Sequence, residues 1–161
     1  MNKENKKLTE NEQSKRSYKL LLTGDCFCKG DCKDFLEKTL GFTVYFAPDL
    51  EEGLWAIDQD GSYDAIIMNV EDYRRKVNDT TEIIRKFYKK PIIAYPKYAW
   101  IGDIRQHFDA GMTAVLEQTH PMCENHLAHL LADLGVIPPD PSVLKGLNFS
   151  RVIPSFCVAE H

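Results

Sequence analysis

The most constraining feature of the chain is an apolar run near its middle, Tyr63-Asp64-Ala65-Ile66-Ile67-Met68-Asn69-Val70. Gly61 precedes the run and a polar stretch follows from Glu71, so it has the length and the boundaries of a fully buried strand. Strands buried on both faces occur in parallel sheets that helices cover on both sides. Such sheets bind ligands at the carboxyl ends of their strands, and here that end carries an amide, Asn69.

The rest of the chain alternates strand patterns with helix patterns. Predicted strands cover residues 18–23, 42–47, 63–70, 91–95 and 113–116, and predicted helices cover 31–40, 50–60, 80–88, 103–110 and 121–134. Asp49 and Glu52 form a capping-box pattern at the start of the second helix. In the third helix, Ile83, Ile84 and Phe87 are expected to face the core. This alternation predicts a doubly wound α/β domain with a five-stranded parallel sheet.

Composition excludes several classes of protein. The chain has 161 residues with a formal net charge of -4, which gives no reason to expect direct nucleic-acid binding. No apolar run approaches the roughly 20 residues that span a bilayer, and the polar N-terminus is not a secretory signal. The 5 cysteines are an odd number, which favours reduced thiols and a cytoplasmic location.

The organisation along the chain is expected to have three parts. Residues 1–17 are polar and predict a flexible arm. Residues 18–134 form the α/β domain. Residues 135–161 carry four prolines and predict an extended segment that packs on the domain or on a partner.

Three segments resemble the response-regulator receiver domain, the CheY-like branch of the flavodoxin-like fold. Residues 63–68 resemble the third strand of that family, and Pro91-Ile92-Ile93-Ala94 resembles its fourth. Phe108-Asp109-Ala110-Gly111-Met112-Thr113 resembles the approach to its fifth strand. The resemblance covers residues 18–134 and implies the strand order 2-1-3-4-5.

The resemblance also implies where phosphorylation chemistry would lie. Working receivers carry an acidic pair that holds Mg²⁺, a phosphoacceptor Asp, a Thr or Ser, and a Lys. In this sequence the acidic pair falls on Gly24 and Asp25, the phosphoacceptor on Asn69, the hydroxyl on Pro96 and the lysine on Gln118. An amide is not the nucleophile that a carboxylate is. One remaining acid makes a poor Mg²⁺ site, and Gln118 carries no charge to offset phosphoryl oxygens.

These losses predict a pseudo-receiver, a receiver fold kept for binding. We expect no enzymatic activity, no catalytic residues, no cofactor and no metal. The predicted function is phosphorylation-independent interaction with a protein partner in a signalling or transcription pathway.

A candidate interface follows the fourth strand. Tyr98 and Trp100 are aromatic residues of the kind that anchor protein interfaces. Val115 falls on the aromatic switch position of the receiver family. The resemblance implies a homodimer or partner surface built from helix four, strand five and helix five.

The sequence leaves an alternative open at Cys26, Cys28 and Cys32, in the loop after the first strand. Thiols near a helix N-terminus have a lowered pKa and can be reactive, so this loop is either an ordinary loop or the site of a redox or ligand sensor. Three further side chains, Cys123, His126 and His129, follow i, i+3 spacing and either hold a metal with an outside ligand or form an ordinary helix face. The carboxylates Asp25, Glu71 and Asp72 form either an acid/base or metal cluster at the crevice or a solvated acidic loop, and the solvated loop is the favoured interpretation.

Overall fold

A six-stranded sheet lies at the centre of the molecule. The computed structural model describes residues 18–24, 33–70, 74–96, 100–117, 123–138 and 152–154. The strands are β1 Lys19–Thr23, β2 Thr43–Ala47, β3 Ala65–Asn69, β4 Ile92–Tyr95, β5 Ala114–Leu116 and β6 Val152–Pro154. The helices are α1 Phe35–Thr39, α2 Leu50–Gln59, α3 Arg74–Arg85, α4 Ile101–Ala110 and α5 Cys123–Asp133. Within the described ranges, no helix is long and apolar enough to cross a membrane.

The sheet has the order β2-β1-β3-β4-β5-β6. Neighbouring strands from β2 to β5 pair in parallel, and β6 pairs antiparallel with β5. The predicted fold class and the predicted order 2-1-3-4-5 are therefore confirmed. The sixth strand comes from the proline-rich C-terminal segment, where the sequence pattern predicts no strand.

Helices cover both faces of this sheet. Alternate residues of a strand point to opposite faces, so Ile66 and Met68 of β3 pack with α2, α3 and α4, while Ala65 and Ile67 pack with α1 and α5. Residues 65–68 of β3 are all at most 1% exposed. Burial on both faces explains why this strand reads as an unbroken apolar run.

Helix α3 begins earlier than the sequence pattern predicts, at Arg74. Its buried side is formed by Val77, Thr81 and Ile84, at 0%, 0% and 1% exposure. The prediction that Ile83 and Phe87 face the core is wrong, because their side chains are 43% and 50% exposed. A hydrophobicity pattern does not identify this buried side because it includes the polar residue Thr81. Burial of Thr81 is tolerated because its hydroxyl donates a hydrogen bond to the Val77 carbonyl within the helix, at 2.8 Å.

Helix α2 starts as predicted. The Asp49 side chain accepts a hydrogen bond from the Glu52 amide at 2.8 Å, which caps the helix. The Glu52 carboxylate accepts a hydrogen bond from the Tyr45 hydroxyl at 3.0 Å, and this bond raises the pKa of Tyr45 above its usual value. Helix α1 has the wide hydrogen bonding of a π-helix over Phe35–Thr39, and residues 31 and 32 of the predicted helix lie outside the described residues.

Arg85 joins the end of α3 to the loop between α4 and β5. Its Nε donates to the Gly111 carbonyl at 2.7 Å, and its Nη2 donates to Thr113 Oγ1 at 3.0 Å. Nη1 donates to the carbonyls of Tyr88 and Lys90 at 3.0 and 2.6 Å. Partial burial of the guanidinium lowers the pKa of Arg85. One side chain therefore satisfies four acceptors that belong to two different loops.

Because of Tyr88, we expect the folded protein to lose stability at alkaline pH. Its hydroxyl donates to the Tyr63 carbonyl at 2.9 Å, and burial raises the pKa of Tyr88 well above the ordinary value near 10. Above pH 10 the unfolded chain releases this proton before the folded chain does, so the free energy of unfolding should fall by up to about 1.4 kcal/mol per pH unit. Urea unfolding at pH 9–11 should show this slope.

The matched variant is Tyr88→Phe. At neutral pH it should lower the free energy of unfolding by about 1 kcal/mol, because the Tyr63 carbonyl loses its donor. At alkaline pH it should remove part of the slope but not all of it, since burial also raises the pKa of Tyr63. An unchanged slope in Tyr88→Phe would contradict this assignment.

Candidate functional site

The carboxyl ends of β1, β3 and β4 lie side by side at one end of the sheet, which is the position of the ligand crevice in open α/β folds. The strand registers place Thr23 beside Met68 and Asn69 beside Tyr95. Gly24, Asn69 and Pro96, which the resemblance assigns to a degenerate phosphorylation site, therefore follow three neighbouring strands at the same edge. Asp25 and Gln118, the other two members of that predicted set, lie outside the described residues.

Gly24 holds a backbone conformation that excludes an ordinary side chain. Its φ is 94°, in the region that favours glycine. Its amide donates to the Ala47 carbonyl at 2.9 Å, which fixes the turn against β2. A Cβ atom at Gly24 would lie 2.8 Å from the Cβ of Asn69, closer than van der Waals contact allows. The position that the resemblance assigns to an acid therefore has no room for one.

Thr23 offers no oxygen to a ligand in the crevice. Its side chain is 2% exposed, and its hydroxyl has no hydrogen-bond partner among the residues that the structure describes. Its methyl group lies against α2, where a Cβ at Gly53 would stand 2.7 Å from Thr23 Cγ2. The close approach of α2 covers this end of β1.

Asn69 and Pro96 complete the described part of the crevice. Asn69 is half-buried at the end of β3, and its amide carries no net charge. Pro96 is buried directly after β4 and has neither a hydroxyl nor a backbone N–H. Neither side chain can act as a phosphoryl acceptor of the carboxylate type or as a hydroxyl donor to a phosphoryl oxygen.

These residues do not fit the Mg²⁺ ion that receiver chemistry requires. Mg²⁺ is bound through carboxylates and needs a near-octahedral set of oxygens. Across the described ranges no group of three or more His, Cys, Asp or Glu side chains could hold a metal ion. Gly24 contributes backbone where a carboxylate would stand, and Asn69 contributes a neutral amide. Among the described residues, Gly24 and Asn69 therefore place no carboxylate at this end of the sheet.

The predicted interface is exposed only in part. Trp100 is 59% exposed at the start of α4, and Ile101, which the sequence pattern does not single out, is 70% exposed beside it. Val115 is 0% exposed within the core under α4, so including it in the interface was wrong. Its place in β5, a strand that is buried on both faces, explains this correction. Tyr98 lies outside the described residues.

The outer edge of β5 is covered by β6, so this edge is not part of an open α4–β5–α5 surface. Among the described residues, the large exposed apolar side chains at the start of α4 are Trp100 and Ile101, and Ile83 near the end of the neighbouring α3 and Phe87 just after it are exposed as well. The buried positions of α4, spaced by three residues, are Ile104, His107 and Ala110.

The alternative sites remain untested. Cys26, Cys28 and Cys32 lie outside the described residues, as do Glu71 and Asp72. The side chains of Cys123 and His126 are not described either. His129 is described, and its Nδ1 lies 3.2 Å from Asp133 Oδ2, one helical turn further along α5.

Comparison with solved structures places this architecture among known folds. A LuxR-family two-component response regulator from an Aurantimonas species is similar with a TM-score of 0.62 and 16% identity, over 76% of this chain and 88% of that chain. The chemotaxis response regulator CheY4 of Vibrio cholerae gives a TM-score of 0.60 and 20% identity, over 74% of this chain and 99% of that chain. A Burkholderia pseudomallei response regulator that contains a phosphorylated aspartic acid gives a TM-score of 0.61 and 18% identity, over 73% of this chain and 66% of that chain.

Sequence comparison gives no such result. No family model matches the chain, and no curated protein matches it. The similarity is therefore one of backbone architecture, shared by proteins that are at most 20% identical to this chain. This protein has the fold of a response-regulator receiver domain, with a sixth, antiparallel strand added beside β5.

Proposed function

We propose that this protein is a pseudo-receiver, a signalling protein that binds a protein partner and works without aspartyl phosphorylation. The partner belongs to a signalling or transcription pathway, and homodimerisation is one form that the binding takes. The protein is not an enzyme and needs no cofactor. The odd number of cysteines fits a reducing compartment, and we propose the cytoplasm.

The contact between Gly24 and Asn69 carries this proposal. If an acidic residue were simply replaced by a neutral one, a single substitution could put the acid back. Here the backbone of Gly24 has φ 94° and approaches Asn69 so closely that a side chain at residue 24 would collide with it. The packing at this point therefore accommodates Gly24 beside Asn69 and leaves no space for a carboxylate at residue 24. An Asn69→Asp substitution would supply the acid at residue 69 but not the one at residue 24.

The first test is phosphoryl transfer. The full chain is incubated with acetyl phosphate and Mg²⁺ and its intact mass is measured. We expect no phosphoryl group to be gained in the crevice, because the amide of Asn69 is not a nucleophile of the carboxylate type. The Burkholderia pseudomallei response regulator, whose solved structure contains a phosphorylated aspartic acid, is the positive control.

The matched variant is Asn69→Asp. It supplies the carboxylate but leaves Gly24 unchanged, so we expect no Mg²⁺-dependent gain of a phosphoryl group. Phosphorylation of the wild-type chain in the crevice would contradict the proposal. Phosphorylation of Asn69→Asp alone would contradict the argument that Gly24 excludes the metal.

The proposed binding surface is the apolar pair Trp100 and Ile101 at the start of α4. Large aromatic side chains are frequent anchors of protein interfaces. We expect Trp100→Ala to abolish self-association or to weaken partner binding by at least about tenfold, which corresponds to about 1.4 kcal/mol. Light scattering measures the dimer, and titration with the partner measures its affinity.

The chain offers a matched control in its second tryptophan. Trp55 lies on α2 and is 56% exposed, almost the same as the 59% of Trp100. Trp55→Ala therefore removes equal apolar surface at another place and should leave association unchanged. Equal effects of the two substitutions would contradict the assignment of the surface to α4.

A further inference from the structure

The C-terminal segment closes one edge of the sheet with very few bonds. Strand β6 pairs with β5 over three residues, with Leu116 opposite Val152, Val115 opposite Ile153 and Ala114 opposite Pro154. A strand of this length adds few backbone hydrogen bonds. Local openings of such elements require much less free energy than global unfolding.

The directions of the amides show how few those bonds are. The Thr113 amide donates towards β4, to the Ile92 carbonyl. Amide directions alternate along a strand, so the amides of Ala114 and Leu116 point towards β6. The residues of β6 whose backbone faces β5 are then Val152 and Pro154. Pro154 has no N–H and cannot donate a hydrogen bond. Val152 is therefore the single backbone donor of β6 to β5.

Strand β5, which β6 covers, is well suited to pair with another strand. Ala114, Val115 and Leu116 are at most 1% exposed, and their backbone is held in register by β4. An edge of this kind pairs with any extended segment that supplies backbone donors and acceptors. A second copy of the chain carries the same segment, which already fits this register.

The connection permits exchange between copies. Residues 139–151, which lie outside the described residues, join the part of the chain that follows α5 to β6, and a chain of this length spans at most roughly 45 Å. That reach is larger than the width of the six-stranded sheet, whose strands lie about 4.8 Å apart. By its length alone, the connection is therefore long enough for β6 to reach the β5 edge of a neighbouring molecule as well as its own.

We propose that the β5 edge is a strand-docking site, which the C-terminal segment fills within one molecule and which accepts the same segment from a second copy. Docking in trans requires β6 to leave first, so the occupied edge limits self-association through this site. This inference does not depend on the chemistry of the crevice or on the surface around Trp100.

The test uses the full chain and a fluorescent peptide of residues 149–156. Val152→Pro removes the single donor of β6 and should open the edge, so the peptide should bind this variant at least about tenfold more tightly than it binds wild type, where the tethered segment competes at high effective concentration. Pro154→Val adds a donor and should bind the peptide more weakly than wild type. Val152→Thr keeps the donor and should behave as wild type.

Hydrogen exchange on the unmodified chain provides a second measurement. The amides of Ala114 and Leu116 should exchange at least about tenfold faster than those of Ile66 and Ile67 in β3, and Pro154→Val should slow them. Protection of β5 equal to that of β3 would show that β6 does not leave, and would overturn the proposal. The proposal would also be overturned if the Val152→Pro chain and the wild-type chain bound the peptide equally tightly. It would be overturned as well if the Val152→Pro chain bound a peptide with Pro at residue 152 as tightly as it binds the unmodified peptide.

Discussion

Replacing Gly24 with alanine is expected to lower the free energy of unfolding by about 3 kcal/mol, measured by urea denaturation. Two causes add. A residue with a Cβ loses roughly 1–2 kcal/mol in the left-handed region, and φ at Gly24 is 94°. The new Cβ would also stand 2.8 Å from the Cβ of Asn69, and such overpacking costs roughly 1–3 kcal/mol.

Two other glycines separate these causes. Gly41 has φ 74°, but a Cβ at this position would have no atom within 4 Å, so Gly41→Ala should show the backbone effect alone, about 1 kcal/mol. Gly53 lies within α2 and would meet Thr23 Cγ2 at 2.7 Å, so Gly53→Ala should show the steric effect, offset by the better helix propensity of alanine, about 1 kcal/mol. If Gly24→Ala is no more destabilising than Gly41→Ala, the contact with Asn69 is not tight.

The outcome bears directly on function. Gly24→Asp should be at least as destabilising as Gly24→Ala, because it adds a carboxylate to the same collision. A chain that tolerated Gly24→Asp well would have room for the missing acid, and the argument against a Mg²⁺ site in the crevice would fail.

Removing the Arg85 side chain is the second large effect. Arg85→Ala should lower the free energy of unfolding by about 3 kcal/mol, because three carbonyls and the Thr113 hydroxyl lose a charged donor together. A hydrogen bond to a charged group contributes roughly 1.5–3 kcal/mol, and bonds within one cluster are not additive. Urea denaturation measures the change.

The conservative variant tests the cause. Arg85→Lys should recover less than half of the loss, because a lysine ammonium cannot reproduce the planar fork that reaches four acceptors. Arg105 is an exposed arginine on α4, and Arg105→Ala should stay within about 0.5 kcal/mol of wild type. Full recovery by Arg85→Lys would indicate that charge, and not geometry, stabilises this junction.

Much of the fold follows from local patterns in the sequence. The apolar run ending at Asn69 predicts a central buried strand because burial on both faces leaves no polar position. Asp49 predicts the start of α2, and Gly111, with φ 112°, ends α4 as expected, because caps depend only on neighbouring backbone groups. The order of the five parallel strands follows from the resemblance to receivers, and the sheet has this order.

Other features depend on contacts between distant parts of the chain. A hydrophobic pattern places Ile83 and Phe87 in the core, but the buried side of α3 includes Thr81, whose hydroxyl is satisfied within the helix. Strand β6 is not apparent in a proline-rich segment, because a three-residue strand forms only where an edge is already present.

The doubly wound domain can be predicted from the amino-acid sequence alone, since strand and helix patterns are local properties. Three features emerge only in the folded molecule: Gly24 is packed against Asn69, Val115 is buried, and β6 closes the β5 edge. Each of these depends on how closely two segments far apart in the chain approach each other. Such distances are fixed by packing of the whole domain, which no local pattern contains.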